Sequence, residues 1–170
     1  MEILNIDSFL TYWRSIRGRT MRVVGEIPEG LLERPWRDGA FTLGDLARHL
    51  ATIQRYMFAE NACGRPSLYP GCGRHLADGH AEVVAYMHRL DDETTTLLRA
   101  LPDDRLRERC ETPGGASLPV WKWLRAMVEH ECHHRGQIHL RLSQLGVATT
   151  PLFGLSEEEV HERSRDMNDD

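Results

Sequence analysis

Apolar residues at Phe9, Trp13, Ile16, Val23 and Ile27 recur at three-, four- and seven-residue steps. That spacing predicts an amphipathic helix opened by Asp7 and stopped before Pro28, since the residue ahead of a proline is pushed out of the helical region. A second stripe, Leu46, Leu50, Ile53 and Met57, follows the capping-box pattern Thr42 to Asp45 and predicts a helix running to about Asn61. The stretch CGRPSLYPGCG, residues 63–73, concentrates glycine and proline and reads as a loop. A third helix begins near Asp78, carries Val83, Val84, Met87, Leu90, Leu97 and Leu101, and ends at Pro102. ETPGGASLP is a second loop, with Pro119 suited to the first turn of a fourth helix that runs to Leu145 and leaves Gly146 at C′. Ser156 and the three glutamates after it predict a short fifth helix, and RDMNDD a solvated tail. No alternating strand pattern, repeat or low-complexity tract intervenes. The expected fold is an all-α four-helix bundle over residues 1–155, with the short helix and tail over 156–170.

Composition narrows the partners. A hydrophobic fraction of 41% with mixed charges is globular, and a net charge of -5 without a basic stripe disfavours nucleic acid. The longest apolar run, Val83 to Met87, is far too short to cross a bilayer, so no membrane partner is expected. The acidic start, with Glu2 and Asp7 ahead of any base, does not fit a secretory signal, and a cytoplasmic location is expected. Cys63, Cys72, Cys110 and Cys132 form no C-x-x-C pair and read as free thiols, although Cys63 and Cys72 flank one loop and can pair under oxidation.

The chemistry concentrates in HECHHRGQIHL, residues 130–140. His134 lies one turn from His130 and about 40° around the helix, so the two rings project the same way. Glu131 and His133 diverge to either side, and His139 lies about 180° away, toward solvent or another chain. Met127, Leu124 and Trp123 lie upstream on this stripe and Gln137 and Arg141 downstream, which makes it an inward face. A divalent metal needs a third ligand, and bundles supply it from a facing helix. His49, beside Leu46, Leu50 and Ile53, is the best-placed residue for that role; alone it would read as a satisfied core histidine. Gln137, about 20° from His130, is positioned to orient a ligand ring or bind a water. Arg135 reads as a structural ion pair with a neighbouring helix, and Gly136 as a point of close helix approach.

HECHH also satisfies H-E-x-x-H, in which the glutamate is a general base, so Glu131 is a weak catalytic candidate. Gln137 stands where the longer form of that motif needs glycine, and no β-edge is expected to hold a peptide. Glu131 otherwise reads as a solvated helix residue, and Glu157, Glu158 or Glu159 as a downstream carboxylate ligand for this rival arrangement.

Three blocks, TLGDLARHL, HECHHRGQI and LRLSQLG followed by Pro151, resemble the DinB/YfiT-like metalloenzyme superfamily of four-helix bundles over roughly residues 5–153. The resemblance implies His49, His130 and His134 as the metal ligands. Gln54 and Arg55 depart from it, standing near where many relatives carry an acid. It further implies two activities found among its members, transfer of low-molecular-weight thiols such as bacillithiol, mycothiol or glutathione, and thiol-assisted maleylpyruvate isomerisation.

The leading expectation is a metal-dependent thiol S-transferase acting on an electrophilic small molecule; a hydrolase at the same site and a non-catalytic metal-binding scaffold are the alternatives. The ion is expected to be zinc or nickel, with manganese or iron also compatible with the site. Trp121, Val128, Cys132 and His139 lie opposite His130, a face that is not simply polar and that predicts packing on another helix or a homodimer.

Overall fold

The computed structural model describes residues 2–166. Helix α1 spans Ile6–Gly25, α2 Glu29–Leu32, α3 Leu43–Ile53, α4 Glu60–Ala62, α5 His80–Arg99, α6 Val120–Gln144 and α7 Glu157–Asp166. Helices α1, α3, α5 and α6 form the bundle. Around it α1 neighbours α6, α6 neighbours α3, α3 neighbours α5, and α5 returns to α1. No helix among the described residues is long and apolar enough to cross a membrane.

Local chemistry sets most boundaries. Asn5, not Asp7, caps α1: its side chain accepts the Ser8 amide, which places Asp7 inside the first turn. Thr42 and Asp45 close a reciprocal capping box on α3. Pro119 is the N-cap of α6, one position ahead of its expected place, and Gly146, at φ 73°, ends that helix in the left-handed region where glycine has no Cβ penalty. The Ser156 hydroxyl and Glu159 carboxylate cap α7 reciprocally. The tail expected at the C-terminus lies largely outside the described residues.

Three features were not expected. Pro28 caps the extra turn α2 rather than a plain loop. The stretch read as a loop before α6 contains an antiparallel hairpin, β1 Arg109–Glu111 with β2 Ser117–Pro119, closed by Gly115 at φ 78°. Residues Gln54–Ala59 form a π-helical turn between α3 and α4. A π turn bonds each amide to the carbonyl five residues back and so admits one extra residue. The apolar stripe slips by one accordingly: Phe58 is buried, while Met57, expected on the stripe, is half-buried.

The core divides along the bundle axis. One apolar cluster gathers Phe9, Trp13, Ile16, Phe58, Leu98, Trp123 and Met127, and the other Val24, Leu46, Leu50, Met87, Leu90, Ile138 and Leu142. Between them all four rods of the bundle contribute buried polar groups, Arg17 and Thr20, Gln54, Thr94, and Glu131 and Arg135. Arg17 Nη1 donates to both Glu131 carboxylate oxygens at 2.9 and 3.2 Å. Asp91 joins this belt, accepting from Trp13 Nε1 at 3.1 Å and Gln54 Nε2 at 3.3 Å.

Three residues of α6 stand otherwise than their spacing suggests. Glu131 is not solvated: it is 1% exposed and neutralises Arg17, itself 2% exposed. Arg135 forms no ion pair among the described residues; Nη1 donates to the Ile16 carbonyl at 3.2 Å and Nη2 contacts Cys132 Sγ. Gly136 lies on the exposed side, where an added Cβ would meet nothing within 4 Å, so it mediates no close helix approach. Trp121, Val128 and Cys132 pack against the first core cluster of their own chain, and His139 Nε2 meets Thr149 Oγ1 at 2.9 Å.

Candidate metal centre

His49 projects from the middle of α3, and His130 and His134 from one face of α6. The ring centroids of His49 lie 5.0 Å from His130 and 4.8 Å from His134, and the last two are 4.5 Å apart. His49 Nε2 and His130 Nε2 approach to 3.1 Å. One candidate ligand nitrogen from each ring falls within 4.8 Å of the other two.

The outer nitrogens of His134 and His49 are held. Gln137 Oε1 sits 2.8 Å from His134 Nδ1, and since an amide oxygen only accepts, His134 donates there and keeps Nε2 as a lone pair. Gln137 Nε2 reaches His133 Nε2 at 3.1 Å, which fixes the amide orientation from its other end. His49 Nδ1 lies 2.8 Å from the Tyr69 hydroxyl, whose ring stands edge-on to the imidazole at 5.7 Å. Tyr69 belongs to the loop after α4, and buried Arg48 pins that loop by donating from Nε to the Cys72 carbonyl at 2.7 Å and from Nη1 to that of Ala77 at 3.1 Å. Arg48 is in turn neutralised by Glu33 and Asp45. Phe58 packs beneath His130 at 5.7 Å and Phe41 flanks His49 at 6.1 Å.

Burial, reinforced by the neighbouring rings, disfavours protonation. His130 is pushed down to about 3 and His49 to about 4, and His134 is lowered as well. Three imidazoles are therefore neutral at pH 7, the form that binds metal. Nitrogens about 2.0–2.1 Å from a tetrahedral zinc lie about 3.4 Å apart. The His49–His130 separation already approaches that spacing, and the donor set fits a divalent ion with a position left open.

No carboxylate among the described residues belongs to the cluster. Glu131 is held by Arg17, and Glu157, Glu158 and Glu159 are exposed on α7. Gln54 and Arg55 serve the surrounding scaffold, Gln54 through Asp91 and Arg55 through Glu60 and Glu93. The four cysteines are free thiols in this structure. Tyr69, Phe41 and Phe58 escaped the sequence reading, which carried no periodicity linking a glycine-rich loop to a helix face.

Comparison with known proteins agrees with this architecture. The Bacillus subtilis (strain 168) uncharacterized protein YrdA is 23% identical over 160 residues, covering 91% of both chains. A DinB-like protein from Bacillus cereus ATCC 10987 superposes with a TM-score of 0.72 at 20% identity, covering 87% of this chain and 97% of its own. YfiT from Bacillus subtilis, described as a probable metal-dependent hydrolase with an unusual four-helix bundle topology, superposes at 0.67 with 19% identity over 84% of this chain and 89% of its own. A mycothiol-dependent maleylpyruvate isomerase, in a mutant form, superposes at 0.58 with 15% identity over 86% of this chain and 63% of its own. The family profile described as the DinB superfamily matches residues 12–138, three quarters of the chain, which therefore belongs to that superfamily.

Proposed function

We propose that His49, His130 and His134 hold a divalent metal and that the chain is a metal-dependent thiol S-transferase. The carrying observation is the convergence of three neutral imidazoles from two helices with no carboxylate among them. A divalent ion held by His49, His130 and His134 would supply Lewis acidity that lowers the pKa of a bound thiol. The protein's own contribution is positioning. Gln137 and Tyr69 orient two rings, Phe58 and Phe41 pack beside His130 and His49, and Arg17 keeps Glu131 out of reach.

The absence of a carboxylate from the cluster among the described residues bears on the candidate reactions. Hydrolysis of the H-E-x-x-H type uses the glutamate to take a proton from water, and here that carboxylate is locked in a buried ion pair. A thiol is acidic enough to react without such a base. In the transfer a sulfur–carbon bond forms, the bond to the leaving group breaks, and the thiol proton departs with the leaving group. The description of YfiT as a probable metal-dependent hydrolase supports hydrolysis as the second reading.

The test is conjugation of glutathione, bacillithiol or mycothiol to a panel of electrophiles by untagged protein loaded with zinc, nickel or manganese. Metal-dependent conjugation is expected. Its absence across the panel, with ester or amide hydrolysis present, would replace transfer by hydrolysis.

A further inference from the structure

Two turns beyond His134 on α6, the side of the bundle carries a cleft of about 200 Å³ lined by Arg34, Pro35, Trp36, Leu43, Arg141 and Leu145. We infer that this cleft is the anion subsite of the candidate metal centre, and that the molecule acted upon is an organic anion with an apolar stem: a carboxylate held by Arg141, with its stem lying over Trp36 and Phe41 toward the histidines. The inference rests on the proposed small-molecule chemistry at those histidines.

Three observations carry it. The first is placement. Arg141 follows His134 by seven residues, which puts it on the same helical face within about 20° and about 10 Å along the axis. Phe41 joins the two places, because its carbonyl accepts from Arg141 Nη1 at 2.5 Å while its ring flanks that of His49 at 6.1 Å.

The second is charge. Arg141 is partly buried, yet among the described residues no carboxylate lies within ion-pair distance of it or of Arg34 at the rim. Arg17 is neutralised by Glu131 and Arg48 by Glu33 and Asp45, whereas Arg135, like Arg141, bonds a backbone carbonyl but lies wholly inside the bundle, away from any cleft. Burial alone perturbs Arg141 and lowers its pKa with nothing opposing it. An arginine fork with one nitrogen anchored on a carbonyl and the others without a hydrogen-bond partner among the described residues suits a bidentate carboxylate.

The third is the surface alongside. Trp36 is 50% exposed and Phe41 46%, although both are large apolar residues, and the Arg141 guanidinium stands 6.0 Å from the Trp36 ring centroid. Exposed aromatics beside an uncompensated cation form a binding surface for a molecule with one apolar part and one anionic part.

The experiment uses 4-phenylbutyrate and its neutral analogue 4-phenylbutyramide, titrated into metal-free and zinc-loaded full-length protein with amide and indole NMR shifts as the readout. The acid is expected to bind both forms, to shift the Trp36 indole and the Leu145 amide, and to bind at least about tenfold more tightly than the amide. Arg141→Gln should bring the acid down to the level of the amide, and Arg34→Gln, at the exposed rim, should weaken it by a smaller factor. Equal binding of acid and amide, no binding to the wild type, or unchanged binding by both variants would overturn the subsite. Binding seen only with zinc, lost in His130→Ala and kept in Arg141→Gln, would also overturn it, because the carboxylate would then be a metal ligand. Failure of the wild type to take up zinc, with Arg141-dependent binding retained, would reject the metal reading and leave the subsite standing.

Discussion

Two polar centres share the level of the bundle between its apolar clusters, and they are built on opposite principles. In one, Arg17, Glu131 and Asp91 are full charges brought together so that each offsets another, with Trp13 and Gln54 bonding the Asp91 carboxylate. In the other, three rings bring no opposite charge to one another and stay neutral because burial disfavours the charge. The first is closed and has no valence to offer. The second keeps lone pairs directed at a common point. Adjacent residues of α6, His130 and Glu131, belong one to each centre, so a single helical step separates binding chemistry from structural chemistry.

The largest expected effect breaks the open centre. His130→Ala should abolish zinc uptake measurable at micromolar ion while leaving the helical circular dichroism unchanged, since the ring is only half-buried and carries no charge. Isothermal titration and competition with a chelating dye would check this. The closed centre should respond in the reverse sense: Arg17→Met strands Glu131 without a partner and should cost about 3–5 kcal/mol in urea unfolding. Replacing both members, Arg17→Met with Glu131→Leu, should recover most of that loss, because the two charges are then absent together.

A smaller effect sharpens the contrast. Gln137→Leu and Tyr69→Phe remove outer hydrogen bonds and should each weaken zinc binding about tenfold or more without changing stability by comparable amounts. Proton competition gives the gentlest probe. The folded pKa values of about 4 for His49 and about 3 for His130 lie below the unfolded value of about 6.5, so within that window the unfolded chain binds more protons than the folded one. The stability owed to the neutral rings is therefore complete above pH about 6.5 and is lost as pH falls from there through the folded values. Histidine NMR titration of the metal-free protein should show both rings still neutral at pH about 5.5, where a histidine of ordinary pKa is already mostly protonated.

The helices were legible because their signals are local. Phe9 to Ile27 and Leu46 to Ile53 declare their faces by spacing alone, and Thr42 with Asp45 announces a helix start by two residues that touch each other. The pairing of His130 with His134 is equally local. His49 follows from the need of a bundle site for a ligand on a facing helix, together with the family resemblance. What stayed hidden depends on partners far apart in the chain. Glu131 reads as a surface acid until Arg17, 114 residues earlier, is placed against it. Tyr69 sits among glycines and prolines whose path is set by Arg48. The hairpin around Cys110 and Leu118 is too short for alternation to register.

The π-helical turn at Gln54–Ala59 makes the aromatic floor of the site a matter of helical phase. Nine residues separate His49 from Phe58, which in an unbroken α-helix would place them about 180° apart. The wider turn withholds roughly one residue's rotation, about 100°, and brings Phe58 round beneath His130 and against Trp123. Tightening this turn to ordinary α-helical geometry with every residue kept would swing the phenyl ring away from the imidazoles, whereas removing one residue along with the bulge would preserve the alignment. The widened turn thus absorbs a single surplus residue and keeps two stretches of the same rod facing one neighbour.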